Sequence, residues 1–132
     1  GKRLPTEAEW EIMAAGVSPD DGHQLDGEAL TGNMAVAPRV SRAAMDAADT
    51  ALPDDLYGNG WEWTGSAFRP FPGFRTADGA VGEYNGKFMS GQFVLKGGSC
   101  ATPRGHMRAS YRNFFYPHQR WQFTAVRLAH DC

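Results

Sequence analysis

Three groups of side chains in this 132-residue chain are of types that do chemistry. The first is an oxygen-rich turn: Asp54 and Asp55 precede Tyr57-Gly58-Asn59-Gly60, and Glu62 follows between Trp61 and Trp63. Carboxylates, a carboxamide and turn carbonyls in so short a span are the hard ligands that calcium takes, which makes Asp55, Asn59, Gly60 and Glu62 candidate ligands of a structural calcium ion. The plainer reading of the same run is a turn entering a strand, with Trp61 and Trp63 as a core pair on one face and Glu62 on the other. The second group centres on Tyr84, beside Glu83 in a stretch that also holds Phe68, Phe71, Phe74 and Phe88. Its phenol is a candidate proton donor, and the surrounding aromatics either plug a loop onto the core or wall a pocket. The third is the run from Arg104 to Arg120, dense in arginine and aromatic residues. Together with Arg127, its Arg108, Arg112 and Arg120 must find carboxylates, carbonyls or ring faces, and most of them are expected to form structural pairs.

The elements that must position these groups are short. Thr6-Glu7-Ala8-Glu9 has the form of a capping box, so a helix is expected from about Glu7 to Ala15, with Trp10, Met13 and Ala14 on its core face and Gly16 ending it. Val17 to Asp54 reads as a long irregular connection with one short helix, in which His23 is expected to be a solvated loop residue. A strand starts at Trp61, Ser66 to Gly91 reads as loop, Gln92 to Lys96 as a strand, and Trp121 to Ala129 as another strand with clear alternation. Sixteen glycines and eight prolines without a fixed period fit many turns and few long elements.

Composition bounds the rest. At this length one compact domain is expected, burying about two-thirds of its unfolded surface. A net charge of −2 offers no broad attraction to nucleic acid or anionic lipid. No apolar run approaches the length of a membrane span and no signal-peptide pattern opens the chain, so a cytoplasmic protein is expected. Cys100 and the terminal Cys132 are too far apart in sequence to suggest a disulfide framework or a zinc site, and free thiols are expected. The opening residues run straight into a helix start, and the chain reads as excised from a longer protein.

Four blocks in order then become specific together: Gly1-Lys2-Arg3-Leu4-Pro5-Thr6-Glu7-Ala8-Glu9-Trp10-Glu11, Gly58-Asn59-Gly60-Trp61-Glu62-Trp63-Thr64, Leu95-Lys96-Gly97-Gly98-Ser99 and Val126-Arg127-Leu128-Ala129. Over nearly the whole chain they resemble the formylglycine-generating-enzyme, or sulfatase-modifying-factor, superfamily. That resemblance implies an α+β, C-type-lectin-like fold with short antiparallel strands, few helices, much irregular loop and often structural calcium. Within the superfamily, Gly97-Gly98-Ser99-Cys100-Ala101-Thr102-Pro103 and Tyr111-Arg112-Asn113-Phe114-Phe115-Tyr116-Pro117-His118-Gln119-Arg120-Trp121 are similar to the sulfoxide synthases of ergothioneine biosynthesis.

Those enzymes use a non-haem iron(II) and O2 to join a thiol to the imidazole carbon of trimethylhistidine. The resemblance implies that the iron is held by histidines of an upstream helical domain, since no His-x-x-x-His-x-Glu cluster occurs here. It further implies substrate-pocket walls from Phe114, Phe115, Tyr116, His118, Gln119 and Arg120, braced by Arg112 or Arg120, with Tyr84 nearest to an active-site tyrosine. Members that accept γ-glutamylcysteine carry an acidic and a basic residue where Phe115 and Gln119 stand, so cysteine is the expected thiol. Two other readings stay open: a stand-alone lectin-like binding module, and a formylglycine generator, whose paired copper-binding cysteines have no match beside Cys100.

Overall fold

The computed structural model describes residues 1–25, 53 and 55–131. Helix α1 (Glu7–Ala14) starts with the expected reciprocal cap: Thr6 Oγ1 accepts the Glu9 N–H at 3.2 Å, and the Thr6 N–H donates to Glu9 Oε2 at 2.7 Å. Gly16 follows the helix at φ +97°, in the left-handed region that ends helices. The predicted face is the buried one. Trp10 and Ala14 join Leu56, Tyr57 and Met107 in the main core cluster, and Met13 packs at its margin.

A four-stranded sheet lies beside the helix. Its strands are β1 (Trp61–Ala67), β2 (Phe93–Lys96), β3 (Asn113–Phe115) and β4 (Thr124–Val126), in the order β3-β2-β1-β4. β2 runs antiparallel to both β1 and β3, whereas β4 runs parallel to β1. The sheet is therefore mixed rather than wholly antiparallel, and with the short helices it makes an α+β fold. Glu62 pairs in register with Lys96 on one side and with Ala125 on the other.

Several expectations are corrected. In β1 the deeply buried face carries Glu62 and Thr64, while Trp61 and Trp63 are only half-buried. α1 contributes a partner for that polar face, the Trp10 indole N–H that donates to Glu62, while Arg127 also donates to Glu62 and the Thr64 hydroxyl donates to the Val94 carbonyl of β2. The stretch read as loop from Ser66 to Gly91 begins inside β1 and contains a second helix, α2 (Ala80–Gly86), hidden by two glycines of low helix propensity. Strand β3 was read as part of the arginine-rich connection, and the long final strand contracts to Thr124–Val126 plus a bridge between Ala129 and Arg3. Of the long connection, a 3-10 turn at Pro19–Asp21 is described; residues 26–52 and Asp54 lie outside the described residues, as does Cys132. His23 is half-buried, its carbonyl accepting the Asn59 N–H at 2.9 Å. No helix among the described residues is long and apolar enough to cross a membrane.

The glycine-rich blocks knit loops together. Gly58 N–H donates to the Gly97 carbonyl at 2.8 Å, and Cys100 N–H to the Asn59 carbonyl at 3.0 Å. At Gly97, with φ +91°, a Cβ would run into the Leu56 carbonyl. Gly97→Ala is accordingly expected to lower stability by more than about 1 kcal/mol, read as a reduced denaturant midpoint at unchanged slope.

An ionic clasp joins the two ends of the chain. Arg3 spans Glu9 and Asp131, each at 2.7 Å. The Arg3 guanidinium, assisted by the Thr6 amide, lowers the Glu9 carboxyl from 4.5 to about 2. A depressed carboxylate contributes stability that is present above its unfolded value and lost as pH falls towards the folded one. The melting temperature is therefore expected to fall between pH 4.5 and about 2, and Glu9→Gln to flatten that part of the profile, as calorimetry across the range would show.

Candidate functional site

The oxygen-rich turn is the first candidate. Asp55 and Asn59 adopt positive φ, each at 56°, in the bend before β1. Glu62, however, turns away from that bend. Its Oε2 accepts the Trp10 indole N–H at 2.7 Å, and Arg127 donates from Nη2 to Oε1 at 2.7 Å and from Nε to both oxygens at 3.1 and 3.2 Å. The register explains the pairing: Ala125 lies opposite Glu62, and period two places Arg127 on the same face. A guanidinium thus stands where a cation would, and Glu62 leaves the calcium set. Among the described residues of the turn, Asp55, Asn59 and Gly60 supply one carboxylate, where calcium takes six to eight oxygens.

The second candidate is a cavity of about 460 Å³ between α2 and the segment that follows β3. Of the predicted site residues, Tyr84, Phe114, Phe115 and Gln119 line it together. Tyr84 projects from α2, its ring edge-on to Phe88 at 5.2 Å and its side chain largely exposed. Phe114 forms the inner wall, tilted against Phe88 at 5.6 Å and stacked on the buried Phe68 at 4.1 Å with 11° between planes. Phe115 meets Trp121 edge-on at 6.1 Å at the lip.

Tyr116, His118 and Arg120 are not brought into this lining. Tyr116 and His118 stack on each other at 5.7 Å across Pro117, and Arg120 is exposed. Gln119 closes the turn: its Oε1 accepts the Tyr116 N–H and its own N–H donates to the Tyr116 carbonyl, both at 3.0 Å. That tight loop holds Gln119 in the cavity lining and leaves His118 exposed and outside it.

Arg112, rather than Arg120, is the brace. Its guanidinium lies 4.8 Å from the Phe68 ring centre and 4.2 Å from that of Phe71, and Nη1 donates to the Arg69 carbonyl at 3.0 Å. Glu7 supplies the counter-charge, with Oε1 2.8 Å from Nε and Oε2 accepting from Nη2 at 3.1 Å. Phe88 is among the aromatics offered as pocket walls, but sequence reasoning missed Gln92, Tyr111, Asn113 and Trp121 as lining residues. Trp121 adjoins the recognised loop and was within reach of it, whereas Gln92, buried just before β2, carries no local signal. Its Oε1 has no hydrogen-bond partner among the described residues.

Among the described residues, no three His, Cys, Asp or Glu come together in a metal-ligating group. Cys100 is buried, and burial raises its thiol above the usual range. The cavity is instead an aromatic trough with a few polar groups, suited to holding an organic ligand by ring faces and hydrogen bonds.

Comparison with known proteins places this geometry. The model of the sulfatase-modifying factor enzyme 1-like domain matches residues 1–132. Hercynine oxygenase of Mycobacterium tuberculosis is 35% identical over 142 residues, covering 99% of this chain and 33% of that protein. The hercynine oxygenases of Mycolicibacterium thermoresistibile and Mycolicibacterium smegmatis are 36% and 35% identical over 146 and 145 residues, again covering 99% of this chain and 32% and 33% of theirs. The chain spans about a third of the length of these curated relatives. Matched by the family model from end to end, and α+β with a small mixed sheet, the chain belongs to the sulfatase-modifying factor enzyme 1-like family and has its formylglycine-generating-enzyme-like fold.

Proposed function

We propose that this chain is the substrate-pocket domain of a non-haem iron, O2-dependent sulfoxide synthase of ergothioneine biosynthesis, in which a thiol is joined to hercynine, the betaine of trimethylhistidine. The observation that carries the reading is the aromatic cavity built from Phe114, Phe115 and Gln119, in a chain matched over 99% of its length by three proteins named hercynine oxygenase. The described residues bring no three His, Cys, Asp or Glu together that could hold iron, and the metal is assigned to a helical domain elsewhere in the parent polypeptide.

What the chain's own residues do follows from their placement. Phe114, Phe115 and Trp121 exclude water from one side of a bound substrate, while Gln92 and Gln119 offer carboxamides for orientation. Tyr84, at the rim on α2, is positioned to hold or donate a proton through its phenol. Its ring already leans on Phe88, so closure against a substrate needs only a rotation of an exposed side chain.

Cysteine is the thiol this cavity favours. A γ-glutamyl group carries both an ammonium and a carboxylate, and strong recognition needs opposite charges at matched positions. Cysteine carries the same two charges, but next to its sulfur. It is at the more distant γ-glutamyl end that Phe115 and Gln119 provide neither counter-charge, and the guanidinium of Arg112 is already held by Glu7. Steady-state kinetics of the full-length protein are expected to give kcat/KM at least about tenfold higher for cysteine than for γ-glutamylcysteine, with the double change Phe115→Asp and Gln119→Arg narrowing the gap. Equal use of both thiols by the unaltered protein would remove the cysteine assignment. Absence of any thiol-dependent consumption of hercynine, with stoichiometric iron present, would remove the proposal as a whole.

A further inference from the structure

We propose that Glu7, which lies in the first turn of α1 and is not among the cavity-lining residues, is a positioning residue for the cavity wall. The inference rests on the proposed function for its kinetic consequences, though the chain of contacts stands independently. Glu7 is fixed at both ends: its N–H donates to Ser66 Oγ at 2.9 Å, and its carboxylate, only 12% exposed, faces two cations. Arg112 Nε is 2.8 Å away and Lys96 Nζ 3.7 Å away.

The two cations depend on Glu7 unequally. Lys96 is wholly buried but has a closer partner in Glu11, at 2.7 Å. For Arg112, 13% exposed, Glu7 is the carboxylate at hand, and the remaining contacts are the Arg69 carbonyl and two ring faces. Neutralising Glu7 leaves Lys96 paired and Arg112 without its counter-charge, which makes exposure to water the favourable course for the guanidinium.

That guanidinium is the outer layer of a stack. It covers Phe68, whose ring stacks at 4.1 Å on Phe114, and Phe114 in turn meets Phe88 at 5.6 Å, the residue against which Tyr84 leans. A planar cation against the Phe68 ring restrains that ring, and with it the Phe114 ring stacked on it, by electrostatics as well as by contact. Glu7 thereby sets the orientation of Phe114, and through it the wall facing Tyr84, by way of Arg112. Arg112 itself touches the cavity, so it transmits the constraint without an intervening loop.

The test compares Glu7→Gln with Glu11→Gln in the full-length protein, at a temperature where both variants are fully folded, and includes Glu7→Asp as the conservative change. Glu11→Gln disturbs the same buried network on the Lys96 side, away from the cavity. Glu7→Gln is expected to raise KM for the substrate lying against Phe114 by about tenfold, with kcat within about twofold, as misplacement of a binding wall does. Glu7→Asp should recover part of the loss, and Glu11→Gln should leave KM unchanged. Ring proton resonances of Phe114 and the indole of Trp121 supply a second readout that needs no turnover: they should move in Glu7→Gln and stay in place in Glu11→Gln. Equal effects of the two variants on KM or on the ring resonances, or none from Glu7→Gln, would overturn the inference. If the unaltered protein does not consume hercynine, the functional reading fails, and the resonances still decide whether Glu7 positions the wall.

Discussion

A carboxylate in a protein interior must have its charge answered on the spot, and Glu62 is the residue on which this constraint falls hardest. It is 5% exposed, in the middle of the sheet, on the face covered by a helix. Its two oxygens are met by the indole of Trp10 from α1 and the fork of Arg127 from the segment after β4. One side chain therefore ties three elements together: α1 through Trp10, β1 that carries it, and the segment after β4 through Arg127. Removing Arg127 would leave the buried Glu62 charge with the Trp10 indole but without its counter-charge, which destabilises a buried carboxylate. The arrangement specifies one packing more than it adds stability over an apolar equivalent.

A second charged layer lies on the same face. Lys96 pairs in register with Glu62 across β1 and β2, is wholly buried, and turns its ammonium to Glu11 with Glu7 behind it. Its charge also lies 5.6 Å from the Trp10 ring centre. The interface between α1 and the sheet is thus a polar sandwich, with hydrophobic packing displaced to the ends: Trp10, Leu56, Tyr57 and Met107 at one, Phe68 and Phe114 at the other. Burial of Tyr57 raises its phenol above the usual range, and the Glu11 charge acts in the same direction.

What the sequence disclosed follows the range over which each signal acts. The cap of α1 is a contract between residues three apart, and Thr6 with Glu9 announced it. The four family blocks disclosed the fold because their glycines are steric requirements: Gly58 and Gly97 stand where neighbouring backbones leave no space for a Cβ. The side of β1 that is buried could not be read locally, since two tryptophans flanking a glutamate favour the opposite choice. The deciding partner, Arg127, lies 65 residues away. The parallel course of β4 was hidden for the same reason. Of the residues singled out in the loop motif, Phe114, Phe115 and Gln119 line the cavity, whereas His118 falls outside the lining, in a turn that Gln119 itself closes.

The cavity gains its shape from these distant constraints. β3 is only three residues long, with no fully buried side chain, and could not hold Phe114 by strand pairing alone. It is held from behind by Phe68, from above by Phe88, and through Arg112 by a helix at the other end of the sequence. A wall fixed by a stack of rings and one ion pair can stay rigid while the lip residues Tyr84 and Trp121 remain exposed at 58% and 70%. A packed floor and an exposed rim is the division of labour expected of a pocket that must recognise a small ligand and still admit it. Under the proposed reading, Phe115 and Gln119 at the rim are the positions where a change of side chain would alter charge toward a substrate without disturbing the stack beneath.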